Sequence, residues 1–94
     1  MTEQELLEKV KVMTNYTSEY HNEFLSGWIT EAKSILANSG VNDEAIDSAC
    51  SVGVIAQIIT DIVDNGGLSS MTNNRISQLA LTYPRKEVWY VSTY

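Results

Sequence analysis

Four informative residue types are nearly missing from this chain of 94 residues: it has one proline, one cysteine, one histidine and one phenylalanine. A lone proline with only five glycines leaves little room for a loop-rich or collagen-like polypeptide. A lone cysteine, Cys50, excludes an internal disulfide framework and zinc clusters built on several thiolates. Cys50 lies inside an apolar run and is expected to be a buried, reduced small side chain. A lone histidine, His21, has no second imidazole with which to complete a metal or catalytic site, so it reads as a solvated helix-face residue. Long hydrophobic runs are also missing. The longest stretch without charge, "SACSVGVIAQIIT" between Asp47 and Asp61, is too short to cross a bilayer. The opening "MTEQELLEKV" is acidic from its third residue, unlike a secretory signal. A soluble protein made in a cytoplasm, without membrane contact, is the expectation.

Positive charge is scarce over most of the chain. Residues 1–74 carry eleven acids against Lys9, Lys11 and Lys33, a balance of −8, whereas residues 75–94 carry Arg75, Arg85 and Lys86 against Glu87, a balance of +2. A body of that sign repels phosphate backbones and offers no basic stripe for counterion release, so tight nucleic-acid binding is not expected.

What is present is helical periodicity. Thr2 and Glu5 have capping-box spacing, and Leu6, Leu7, Val10 and Met13 follow, which predicts a helix over about 3–13. "TNYTS" breaks it. A second helix is expected from Thr17 or Ser18 to Asn38, with Phe24, Leu25, Trp28, Ile29, Ala32, Ile35 and Leu36 forming one broad apolar stripe. Gly40 is placed to end it in the left-handed conformation. The segment "VNDEAIDSACSVGVIAQIITDIVDNGG" predicts one long third helix, capped by Asn42 or Asp43 and apolar nearly all round, hence central. Gly53 would let a neighbouring helix come close. A shorter fourth helix is expected over "TNNRISQLALTY", with Thr72 as cap, Ile76, Leu79 and Tyr83 inward, and Pro84 as terminator. The reading is an all-α bundle of three to four helices over residues 1–84, followed by an extended C-terminal segment over 85–94.

A search for chemistry finds little. Asp43, Glu44 and Asp47 read as helix-start charges, and Asp61 and Asp64 as the polar edge of the third helix. "DNGG" followed by "LSS" resembles an anion-binding loop only superficially, since no lysine follows and no strand precedes it. "ITDIVDNGG" lacks the ligand ladder of a calcium loop. No catalytic residue, cofactor or metal is expected, and the chain does not read as an enzyme. The unusual feature is "RKEVWYVSTY", where Val88, Trp89, Tyr90 and Val91 follow two cations. A lone extended segment has no sheet to join, so it either lies across its own bundle or docks on another molecule, with tryptophan and tyrosine as the usual anchors.

The order of a short acidic helix, a long helix carrying "FLSGWITEAKSIL", a buried helix "AIDSACSVGVIAQIITDIVDN" and then "NNRISQLALTYPR" leading into a non-helical tail resembles the head–tail connector (adaptor, or head-completion) proteins of tailed bacteriophages. The close "IVDNGG" departs from the aromatic and basic ending common there. The resemblance implies a structural protein that forms a ring, usually dodecameric, beneath the portal of the DNA-filled head. Such a ring extends the DNA channel and receives the stopper or tail-completion protein. On that implication the tail residues Arg85, Lys86, Val88, Trp89, Tyr90, Val91 and Tyr94 would dock on the portal protein, and the acidic body would let DNA pass without specific binding. The location would be the head–tail interface of the virion. A contrasting expectation, motivated by acidity alone, is a monomeric regulatory or inhibitor module.

Overall fold

The computed structural model describes residues 1–85. They form five α-helices and two single-turn 3-10 segments: α1 (Glu3–Thr14), a 3-10 turn (Glu19–His21), α2 (Asn22–Asn38), α3 (Asp43–Ile46), a second 3-10 turn (Ala49–Ser51), α4 (Val52–Asn65) and α5 (Ser70–Thr82). Among the described residues, β pairing is limited to one isolated antiparallel bridge, Val41 with Pro84. The all-α class is therefore the observed one. No helix among the described residues is long and apolar enough to cross a membrane.

Helix α1 starts as its sequence dictates. The Thr2 hydroxyl accepts from the Glu5 backbone N–H, and the Glu5 carboxylate accepts from the Thr2 N–H at 3.0 Å. Those hydrogen bonds hold the Glu5 carboxyl below the usual carboxylate range, with the Thr2 backbone contact the largest cause. Asn15 closes the helix in the left-handed conformation, at φ 65°. Lys11 shares the inner face with Leu7 and Val10 and is only 6% exposed, its methylenes covering apolar surface. α2 begins later than its pattern predicts. Ser18 caps the 3-10 turn Glu19–His21 first, and the α-helix proper starts at Asn22.

The predicted single third helix is two helices with a break between them. Asp47 ends α3, and Ser48 is extended at φ −103°, ψ 170°. The physical reason is the serines of "IDSACS". The Ser48 hydroxyl donates to the Ala45 carbonyl at 2.9 Å, and the buried Ser51 hydroxyl donates to the Ile46 carbonyl at 2.6 Å. Both satisfy carbonyls that a continuous helix would have paired with backbone N–H groups. The break lets Ala45 and Ile46 reach the core on a different axis from α4.

α4 occupies the middle, packed against α1, α2 and α5. No residue from Val52 to Val63 is exposed, as its near-continuous apolar surface predicts. Ile55, Ile58 and Ile59 are fully buried with Val10, Leu25, Leu36 and Val41, forming one core. Trp28 packs on the edge of that core, half-buried, whereas Phe24 at the start of the predicted stripe remains 43% exposed. α5 rests chiefly on α4 through Thr72, Ile76 and Leu79, and Tyr83 is exposed rather than inward.

Candidate functional site

The residues with most chemical potential do not converge. His21 ends the 3-10 turn and is half-buried, not solvated: its ring lies 5.3 Å from that of Tyr16, 6.0 Å from Tyr20 and 6.5 Å from Phe24. Packing of the turn against "TNYTS" creates this aromatic cluster. His21 Nδ1 and Asn22 Oδ1 are shielded from solvent and without hydrogen-bond partners. Tyr16 also donates to Asp64 Oδ1 at 2.9 Å, and this hydrogen bond raises its phenol above the ordinary value. Cys50 is exposed, contrary to the expectation of burial, because the break at Ser48 rotates residue 50 away from the core. Its Sγ lies 2.8 Å from Ser48 Oγ and 3.5 Å from the Ala45 carbonyl oxygen, within the local turn. No group of three or more histidines, cysteines or carboxylates among the described residues is arranged to hold a metal ion.

One polar cluster is buried. Asp61, expected on the polar edge, is 6% exposed on the inner side of α4. Its Oδ2 accepts from the Ser69 N–H at 3.0 Å, the Ser69 hydroxyl at 3.0 Å and the Thr72 hydroxyl. Ser69, not Thr72, is the N-cap of α5, and Thr72 is instead a fully buried partner. The carboxylate thus occupies the anion-favouring start of α5 from within the chain. Hydrogen bonds, with Thr72 the largest cause, hold the Asp61 carboxyl below its ordinary value. The signal available in the sequence was the run from Asp61 through Gly66 and Gly67 to Ser69 and Thr72, a loop short enough to bring that aspartate back to the next helix start.

The C-terminal end of the described chain is tied to the corner between α2 and α3. The Asn42 N–H donates to the Tyr83 carbonyl at 2.9 Å, and the Arg85 N–H donates to the Gly40 carbonyl at 2.8 Å. Gly40 adopts φ 95°, as its position after α2 predicted. The Arg85 guanidinium donates to the Ala37 carbonyl at 2.6 Å, placing a cation at the carbonyl end of α2. Arg85, proposed from sequence as a docking residue, is therefore engaged with its own bundle. Lys86, Val88, Trp89, Tyr90, Val91 and Tyr94 lie outside the described residues.

The surface is concave in two places beside α1, one of mixed polarity and one chiefly apolar. A groove of about 560 Å³ runs between α1, α2 and α3, floored by Leu6, Leu7 and Ile29 and rimmed by Glu3, Asp43 and the Lys33–Asp47 pair, whose charged atoms are 3.2 Å apart. A second cleft lies between α1 and the start of α4, where exposed Val12 and Met13 face Ala49, Val52 and Gly53. Gly53 does admit close neighbours, but they are side chains: a Cβ there would stand 3.1 Å from Arg75 Nη2 and 3.7 Å from the Met13 methyl. Arg75 is held over it by a hydrogen bond to Gln57 Oε1. The α1–α4 cleft suits docking by apolar contact, with Glu8 and Lys9 at its edge. In comparisons with known proteins, no family model, no curated protein and no solved structure matches this chain.

Proposed function

We propose that this chain is a structural head–tail connector of a tailed bacteriophage, a ring-forming subunit that sits under the portal and receives the stopper or tail. The resemblance of the helix order and of "ISQLALTYPR" supports the reading, as does the all-α bundle with an apolar cleft between α1 and the start of α4. The observation that carries it is the tether at Tyr83–Arg85, which starts the "KEVWYVSTY" segment from a defined corner of the bundle. A segment launched from a fixed point loses less freedom on docking than one hung from a loose linker. In this role Lys86 meets acidic groups of the portal protein, while Val88, Trp89, Tyr90 and Val91 supply apolar anchors. Arg85 organises the start of the segment.

The test asks first whether a portal gene lies beside the gene for this chain, and then whether the two products co-assemble. Removal of residues 86–94 should leave helix content and thermal unfolding unchanged while abolishing co-sedimentation with portal rings. Normal binding by the shortened chain would refute the docking role. If portal, capsid and tail-completion genes are not its neighbours, the connector reading itself fails.

A further inference from the structure

We propose that the cleft between the first half of α2 and the end of α4 is a docking site for an arginine-bearing segment of another protein, with Phe24 and Trp28 stacking on the guanidinium and Glu31 pairing with it. This goes beyond the connector reading and uses a surface separate from the corner at Ala37 and Gly40 where Arg85 is held.

The pattern begins in the sequence. Tyr20, Phe24 and Trp28 recur every four residues, which sets three aromatic side chains in line along the 3-10 turn and α2. Glu23, Gly27 and Glu31 form a neighbouring line with the same step, acidic at both ends and open in the middle. In the fold the aromatic line is only partly covered. Tyr20 is 91% exposed and Phe24 43%, while Trp28 is half-buried against the core. Tyr16 widens the cluster, its ring 6.0 Å from that of Phe24 and edge-on to it. Aromatic residues gathered on one surface mark a contact site, unlike apolar residues scattered singly.

Gly27 is a second, independent sign. It lies inside α2, where glycine is the poorest helix former after proline, and its backbone is ordinary helix. A Cβ there would meet nothing within 4 Å, so no contact inside the subunit requires the glycine. Its bare backbone instead opens a cleft of about 550 Å³ lined by Phe24, Gly27, Trp28, Glu31 and Ile62. A side chain arriving from outside can lie across α2 at this point.

Charge selects the occupant. Among the described residues, no lysine or arginine lines the cleft, whereas Glu31 does, and exposed Glu23 stands one turn before Gly27. Asp64, bonded by the Tyr16 hydroxyl, adds a carboxylate beside the same ring cluster. The complementary group is apolar along its stem and cationic at its tip. Arginine meets both demands: its methylenes cover Gly27, its plane stacks on the aromatic face, and its fork of N–H donors matches a carboxylate. Lysine carries the charge without the plane.

The experiment titrates acetyl-Gly-Arg-Leu-Arg-Gly-amide into the isotope-labelled full chain, with its lysine and citrulline counterparts for comparison. Amide signals of Gly27, Trp28 and Ile62 should move in a saturable way, while those of α5 stay in place. The lysine peptide should bind more weakly, and the uncharged citrulline peptide should not bind. Glu31→Gln should weaken the arginine peptide by roughly tenfold, as loss of a hydrogen bond to a charged group implies. Gly27→Leu fills the cleft and should abolish the shifts at Trp28 and Ile62. Helix content and thermal unfolding should survive that change, because position 27 is exposed with open space around it. Unmoved cleft signals at millimolar arginine peptide would overturn the proposal, as would equal binding by the citrulline peptide. Shifts that persist in Gly27→Leu would also overturn it, by showing attraction to the acidic body at large. No portal component enters the test, so this inference and the connector reading can fail separately.

Discussion

The α1–α2–α4 body and the α5 arm are held by different physics. In the body, fully buried Val10, Leu25, Leu36, Ile55, Ile58 and Ile59 pack on one another, and stability scales with apolar area removed from water. The arm buries only Thr72, Ile76 and Leu79 along α5 and is fastened by polar contacts at both ends. Asp61 holds its start, and the Tyr83 and Arg85 hydrogen bonds to the α2–α3 corner hold its finish. Apolar packing is non-directional and degrades gradually, whereas a hydrogen-bonded carboxylate works in one geometry and one protonation state. A bundle built this way has a robust body and an arm whose attachment can be altered without dissolving the rest.

The largest expected effect comes from attacking the body. Ile58→Ala should cost about 2–5 kcal/mol, measured as a lower urea midpoint with all helices lost together, because Ile58 is fully buried at the centre. Asp61→Asn is the next test. It replaces an acceptor-only carboxylate by an amide, so three donors compete for one weaker acceptor. Amide exchange across Ser70–Thr82 should accelerate by roughly tenfold, as the loss of one or two hydrogen bonds implies, while α1 exchange stays unchanged. Uniform acceleration would erase the contrast between the regions.

Acid should act on the same contact. The folded Asp61 carboxyl is held below its unfolded value, so its contribution is fully present above the ordinary aspartate range. It is lost as pH falls through the lower, folded value. α5 exchange should therefore rise at acid pH before α1 exchange does, and Asp61→Asn should remove that step. A smaller effect is expected at the other end of the body. Thr2→Ala removes the cap of α1 and should cost about 1 kcal/mol in thermal unfolding. Smallest of all, Lys33→Ala breaks a partly exposed ion pair and should shift stability by about 0–1 kcal/mol.

Part of the candidate site was legible and part was not. The chemical oddity of "RKEVWYVSTY" is a matter of residue types and could be read directly. That Arg85 would turn back onto Ala37 could not, because residues 37 and 85 are brought together only where the chain after α5 meets the corner between α2 and α3. The groove was likewise hidden. Its α2 wall runs through Ser26, Thr30, Lys33 and Ser34, polar positions that a hydrophobic pattern discards as solvent-facing.

The residue sequence by itself determined the helical class, the start of α1 at Thr2 and Glu5, the left-handed turn at Gly40 and the central place of α4. Each of these rests on interactions within a turn or on the periodicity of apolar side chains, which neighbours in the chain already specify. The break at Ser48 was written locally too, in serine hydroxyls that bond the carbonyls of Ala45 and Ile46, but helical periodicity concealed it. Only the tertiary structure decided the half-buried His21 and the burial of Asp61, because a ring is covered, and a carboxylate can leave water, only when another element supplies the partner.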